Sequence, residues 1–82
     1  MISCDKHDYV EIACLYKFSV TLKLKNKEQM TGTAITVSYN KDKQECLLLE
    51  TNEQQEVLIE LTSINIMTAN QNNPHFSSVE LN

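Results

Sequence analysis

The hydrophobic pattern of the chain changes its period at Phe18, and this change restricts the folds that the sequence can adopt. Before it, an apolar stripe at helical spacing is formed by Tyr9, Ile12, Ala13 and Tyr16. From Phe18 to Lys25, apolar and polar residues alternate, which is typical of a half-buried β-strand. Further short apolar segments follow, separated by polar turns. The sequence therefore predicts one helix and then an antiparallel sheet.

We predict a mainly β protein with one N-terminal α-helix, in which five strands form a small, closed or nearly closed antiparallel barrel. The helix is expected at about residues 5–16. The five strands are expected at about residues 17–25, 29–39, 44–51, 55–62 and 64–68. These elements make a single domain of residues 1–68. Residues 69–82 are polar and rich in asparagine, so they are expected to form a loosely ordered C-terminal tail.

The second predicted strand contains a change of phase. Its apolar residues up to Ala34 lie at even positions, whereas those from Ile35 onward lie at odd positions. A shift of one residue turns side chains to the opposite face of a sheet. We therefore expect a β-bulge or sharp bend near Gly32–Ile35, which would let a small sheet curl.

Composition and chain length exclude several functional classes. The chain has 82 residues with one glycine and one proline, so it holds no glycine-rich phosphate loop. Its longest apolar run, residues 46–49, is far shorter than the ~20 residues that span a membrane. The first residues have neither a basic nor an apolar segment, so we do not expect secretion through a signal peptide. Three irregularly spaced cysteines do not suit a disulfide framework. We expect a cytoplasmic protein with free thiols, of which Cys14 and Cys46 pack as small apolar residues.

Charge is distributed unevenly along the chain and indicates a protein partner. The net charge is −4, and no arginine occurs. Residues 17–43 carry six lysines, whereas residues 44–82 carry six glutamates and no basic residue. Arginine is the preferred side chain for contacts with phosphates and stacked bases, because its guanidinium is a planar fork. We therefore expect neither direct nucleic-acid binding nor a membrane partner, but a protein partner that offers basic groups.

The sequence offers no catalytic or metal-binding arrangement. It holds no Ser-His-Asp pattern and no nucleotide-binding loop, and a barrel of this size is filled by its own side chains. Cys4 and His7 have the spacing of half a zinc site, but further ligands would have to come from distant positions such as Cys46 and His75. We therefore expect a protein that is not an enzyme and has no metal or other cofactor.

A block of residues near the N-terminus is more specific than the barrel pattern requires. It consists of Cys4-Asp5, Asp8 and Glu11-Ile12-Ala13-Cys14, accompanied by Gly32-Thr33-Ala34 and Glu45–Glu50. These residues resemble the bacterial Rho-binding antiterminator (Rof) family over roughly residues 2–68. The resemblance implies a Sm-like barrel preceded by a helix. It also implies a regulator that binds the transcription termination factor Rho at its primary RNA-binding domain, blocks RNA loading and so inhibits Rho-dependent termination.

Six residues are predicted to contact Rho: Asp5, His7, Asp8, Glu11, Asn40 and Lys41. On a helix the three acids fall within an arc of about 120°, so their carboxylates share one face that can meet basic groups. His7 lies among them, where the family commonly has tyrosine. Asn40 and Lys41 lie in a polar turn whose counterpart in the family also carries a basic residue. Helix capping is an alternative role for the acids, and a solvated turn position for Lys41.

An alternative function is that of a Sm-like RNA-binding regulatory module. Lys23 and Lys25 share a strand face with Ser19 and Thr21, which would suit contacts with RNA. The lack of arginine and the few aromatic residues favour a solvated strand face instead. We keep the Rho inhibitor that the family resemblance implies as the expected function, and we expect the protein to be a monomer when free.

Overall fold

The structure is a computed structural model that describes residues 4–52 and 54–82. In these described residues, one helix, α1 (Cys4–Leu15), precedes six strands. The strands are β1 (Ser19–Leu24), β2 (Gln29–Tyr39), β3 (Glu45–Glu50), β4 (Glu56–Glu60), β5 (Ile64–Ala69) and β6 (Ser78–Glu80). A turn of 3-10 helix, Leu61–Ser63, connects β4 to β5. In this part of the chain, no helix is long and apolar enough to cross a membrane.

All six strands belong to one antiparallel sheet with the order β4-β3-β2-β1-β5-β6. The sheet is open, with β4 and β6 as its two edges. Closure of a five-stranded barrel would pair β4 with the free edge of β5, but β6 pairs with that edge, with Val79 opposite Met67. The prediction of a mainly β protein with one N-terminal helix is confirmed, whereas the five-stranded barrel is not.

Residues 69–82, which we expected to be a loosely ordered tail, instead complete the fold. They form β6 and then bury Leu81, whose side chain is 1% exposed in the core. The Asn82 side-chain amide donates hydrogen bonds to the carbonyls of Leu61 and Ile64, at 2.8 and 2.7 Å. One buried apolar side chain and these hydrogen bonds therefore hold the segment against the 3-10 turn and the start of β5.

The β-bulge predicted in the second strand is present. The pairing of β2 with β3 shifts its register between Ala34 and Thr36, which leaves Ile35 as the extra residue. After the shift, Val37 pairs with Leu47 and packs against the core. Apolar residues at even positions before the bulge and at odd positions after it therefore both reach the core from the same strand.

Gly32 lies where β2 and β3 approach each other closely. A β-carbon built on Gly32 would lie 2.5 Å from the Glu50 carbonyl oxygen and 2.8 Å from a side-chain carbon of Leu49. These separations are shorter than van der Waals contact, so another residue would fit only if the neighbouring strand moved. Packing between strands, rather than a turn, accounts for this glycine.

The helix α1 packs on the sheet through Val10, Ala13 and Cys14, which are buried. These residues share one side of the helix, because they lie at positions i, i+3 and i+4. The predicted apolar stripe included Tyr16, but this residue is exposed. The helix ends at Leu15, so the helical period no longer determines where the Tyr16 side chain points.

A Schellman motif closes the C-terminus of α1. The Phe18 N–H donates to the Ala13 carbonyl at 2.9 Å, and the Lys17 N–H donates to the Cys14 carbonyl at 3.2 Å. Lys17 has a φ of 53°, in the left-handed region where glycine is usual. Its ammonium also donates to the carbonyl of Ile35, the bulge residue, at 2.8 Å. The end of α1 is therefore tied to the bulge of β2, which fixes the position of the helix on the sheet.

Candidate protein-binding surface

The outward side of α1 carries the carboxylates of Asp5, Asp8 and Glu11, which we call the acidic face. All three residues are exposed. Because an α-helix turns by about 100° per residue, these positions lie on the side opposite to the buried residues of α1. Within residues 4–52 and 54–82, no hydrogen bond or ion pair involves the carboxylates of Asp5 and Asp8. These two groups are therefore available to a partner.

Helix capping explains only part of the acidic face. Asp5 lies in the first turn of α1, where a negative charge interacts favourably with the helix dipole. Asp8 and Glu11 lie beyond the first turn, because α1 begins at Cys4. The dipole effect falls off within one turn, so the positions of these two acids are not explained by it.

His7 connects α1 to the start of β3. Its Nε2 lies 2.9 Å from a carboxylate oxygen of Glu45, and its Nδ1 lies 3.5 Å from a carboxylate oxygen of Glu11. The His7 side chain is 23% exposed, whereas that of Glu11 is 60% exposed. His7 therefore contacts Glu11 within α1 and, through Glu45, connects the helix to the sheet. Its predicted contact with a partner stays a prediction.

The turn between β2 and β3 contains Asn40 and Lys41. The Asn40 side-chain oxygen accepts hydrogen bonds from the N–H groups of Asp42 and Gln44, at 3.0 and 2.9 Å, so it shapes the turn. Lys41 is exposed. Glu45 follows this turn directly, and its carboxylate lies 2.9 Å from His7 Nε2 of α1. The first residue of β3 after the turn is therefore in contact with the first half of α1.

A groove lies between α1 and the bulge of β2, and we call it the α1–β2 groove. Its volume is about 770 Å³. Its lining includes Asp8, Glu11, Ile12 and Leu15 from α1, and Ile35 and Val37 from β2. The sequence analysis did not identify this groove. A signal was present, since Leu15 follows Asp8 by seven residues and hence lies on the same side of a helix.

The buried thiols do not supply a reactive group. Burial raises the pKa of the Cys14 thiol to about 11, against a smaller opposite effect of the Lys17 ammonium. Burial also raises the pKa of Cys46 above its usual value. The thiolate, not the thiol, is the nucleophile and the metal ligand. Both cysteines are buried, as predicted, and behave as apolar core residues.

The described residues contain no group of three or more His, Cys, Asp or Glu side chains that could hold a metal ion. The His7 ring, which the sequence placed at zinc-site spacing from Cys4, has carboxylates of Glu11 and Glu45 beside its two nitrogens.

Fold and surface together define a small protein with an open antiparallel sheet and one helix that presents acids beside an apolar groove. The chain belongs to the family of modulators of Rho-dependent transcription termination (ROF), whose family model matches residues 1–81. The solved structure of YaeO bound to magnesium, from Vibrio cholerae O395, is similar to this one, with a TM-score of 0.87 and 36% sequence identity. The similarity covers 92% of this chain and 96% of that chain. No curated protein sequence matches the chain.

Family membership determines the general role of the protein. The family modulates Rho-dependent transcription termination and is regulatory, which implies Rho as the partner. The match of the family model extends the resemblance noted for residues 2–68 to nearly the whole chain.

Proposed function

We propose that the protein binds Rho at its primary RNA-binding domain, blocks RNA loading and thereby inhibits Rho-dependent termination. The observation that carries the proposal is the acidic face. Asp5 and Asp8 are exposed on a helix, and their carboxylates have no hydrogen-bond or ion-pair partner in the described part of the chain. Water solvates such carboxylates, and charge-assisted hydrogen bonds to the basic groups of a partner would stabilise them further.

An RNA-binding surface is the kind of basic surface that would meet these acids. RNA phosphates are bound through lysine and arginine groups, and carboxylates can pair with the same groups by charge-assisted hydrogen bonds. The protein would therefore compete with RNA by covering the cationic groups that RNA needs. Opposite charges also speed association and make it sensitive to salt.

The six predicted site residues take different parts in this proposal. Asp5, Asp8 and Glu11 contact basic groups of Rho directly. His7 keeps Glu11 in place from the side of β3 and lies at the edge of the contact. Asn40 holds the shape of the turn that carries Lys41, and Lys41 contacts Rho from this turn. The proposal requires no cofactor, no catalytic step and no direct contact with RNA, and it needs only one copy of the chain.

The first prediction concerns Asp8. We expect Asp8→Ala to weaken binding to purified Rho by about 1–3 kcal/mol, or roughly 5- to 150-fold, because it removes a carboxylate from the centre of the contact. The salt dependence of the affinity should fall with it. The matched control is Glu56→Ala, which removes an exposed carboxylate from β4 and should leave the affinity unchanged. Isothermal titration or fluorescence anisotropy at two salt concentrations measures both quantities.

A charge reversal gives the sharper test of the same residue. Asp8 is exposed, so Asp8→Lys should leave the fold intact, which circular dichroism checks. A folded Asp8→Lys variant that bound Rho with unchanged affinity would refute the role of the acidic face. In the same assay, tight binding of single-stranded RNA without affinity for Rho would instead support the RNA-binding alternative.

A further inference from the structure

We infer that the α1–β2 groove receives an apolar side chain of Rho's RNA-binding surface, with Leu15 as the main contact. This inference rests on the proposed function and adds a second kind of contact to it. The acidic face alone would bind through charge. The groove beside it would bind through apolar burial.

Leu15 is an exposed leucine that lies beside other apolar residues of a groove, unlike an isolated leucine on a protein surface. It is 72% exposed, although it directly follows the buried Cys14 on α1. Beside it, Ile12 of α1 and Ile35 and Val37 of β2 are half-buried and line the same groove. Single exposed leucines are common on protein surfaces, but an exposed leucine at the rim of an apolar groove offers a partner a site to fill.

The groove is continuous with the acidic face. Asp8 and Glu11 line the groove as well as belonging to the acidic face. Leu15 lies seven residues after Asp8, which places it about two helical turns further along the same side of α1. A partner that pairs with these carboxylates therefore lies directly over the apolar side chains.

Charge at the two ends of the groove indicates how the partner is oriented. Asp8 and Glu11 attract cations at one side, whereas the Lys17 ammonium closes the groove near the bulge. This ammonium is held by the carbonyls of Ile35 and Cys14, at 2.8 and 3.3 Å. A second cation would be repelled there. The part of the groove near Leu15 and the bulge therefore takes an uncharged, apolar side chain, with basic groups of the partner beside it over the acids.

Surfaces that bind single-stranded RNA have this combination of groups. They have a positively charged groove that follows the phosphates, and they also have aromatic or apolar side chains on which bases stack. A protein that covers such a surface must satisfy both kinds of group. Here the carboxylates would take the place of phosphates, and the α1–β2 groove would cover a side chain on which a base would otherwise stack.

The test compares Leu15→Ser with Leu58→Ser in binding to Rho. Both leucines are exposed, and Leu58 lies on the edge strand β4, away from the groove lining. We expect Leu15→Ser to weaken binding about tenfold or more, with the salt dependence unchanged, because an apolar contact is lost. Leu58→Ser should bind as the wild type does. Thr36→Trp, which places an indole at the exposed groove residue Thr36, should also weaken binding.

The outcomes separate this inference from the proposed function. If Leu15→Ser and Thr36→Trp bind as the wild type while Asp8→Ala binds more weakly, the groove has no occupant and only the present inference is wrong. If Leu15→Ser and Leu58→Ser weaken binding equally, the effect is not specific to the groove, and the inference is also wrong. If none of these variants, Asp8→Ala included, changes the affinity, the proposed function itself is wrong.

Discussion

At the scale of single residues, Cys14 links the stability of the protein to alkaline pH. Its pKa rises from the usual 9.0 to about 11 because the thiol is buried against the sheet. The folded protein therefore holds this proton more tightly than the unfolded chain does. Stability from this group is fully present below about pH 9 and is lost as the pH rises toward 11, because the unfolded chain then ionises first.

This effect predicts a difference in slope between the wild type and Cys14→Ala. Urea unfolding midpoints between about pH 8 and about pH 10.5 should fall more steeply for the wild type, since it carries the shifted thiol of Cys14 in addition to Cys46, which both proteins share. A smaller side chain lowers the stability of Cys14→Ala at every pH, so the comparison uses the slopes and not the absolute values. Parallel slopes would mean that Cys14 ionises as freely in the folded protein as in the unfolded chain.

Single residues differ in how far the sequence could predict their roles. The burial of Cys14 and Cys46 was predicted, because cysteine in a chain without disulfides behaves as a small apolar residue. The exposure of Leu15 was not predicted, because this exposure depends on which side of α1 meets the sheet. The close approach at Gly32 depends on the distance between two strands, which no local pattern encodes.

At the scale of elements, β6 and the residues after it are expected to carry a measurable part of the stability. Leu81 is 1% exposed, so Leu81→Ala removes buried surface and leaves a cavity. We predict a decrease of about 2–4 kcal/mol in the free energy of unfolding, measured by urea denaturation. The control, Leu58→Ala on β4, changes a side chain that is 45% exposed and should cost less than about 1 kcal/mol. Equally small effects would show that the C-terminal segment does not dock on the core.

The elements that the sequence predicted are those with a strong local pattern. The period of two at Phe18 and the phase change near Ile35 gave a strand and a bulge, and the pairing of β2 with β3 contains that bulge. The strand β6 has only three residues, and its one apolar residue, Val79, gives no alternation. Its pairing with β5 brings together distant parts of the chain, so local propensity could not reveal it. The open sheet follows from the same pairing.

At the scale of the whole molecule, the candidate site depends on how elements are placed relative to each other. Helical spacing predicted a common side for Asp5, Asp8 and Glu11, and the structure exposes all three. The contact between His7 and Glu45 joins α1 to the start of β3, which spacing alone could not show. The α1–β2 groove exists because the Schellman motif and Lys17 hold α1 beside the bulge.

This protein and RNA are expected to exclude each other on Rho, and displacement of labelled RNA measures this exclusion most directly. Fluorescent single-stranded RNA bound to purified Rho would be titrated with the protein while the anisotropy is followed. We predict that the anisotropy falls to that of free RNA, and that the midpoint moves to higher protein concentration as the RNA concentration is raised. Saturation of Rho by the protein while the RNA stays bound would contradict the account.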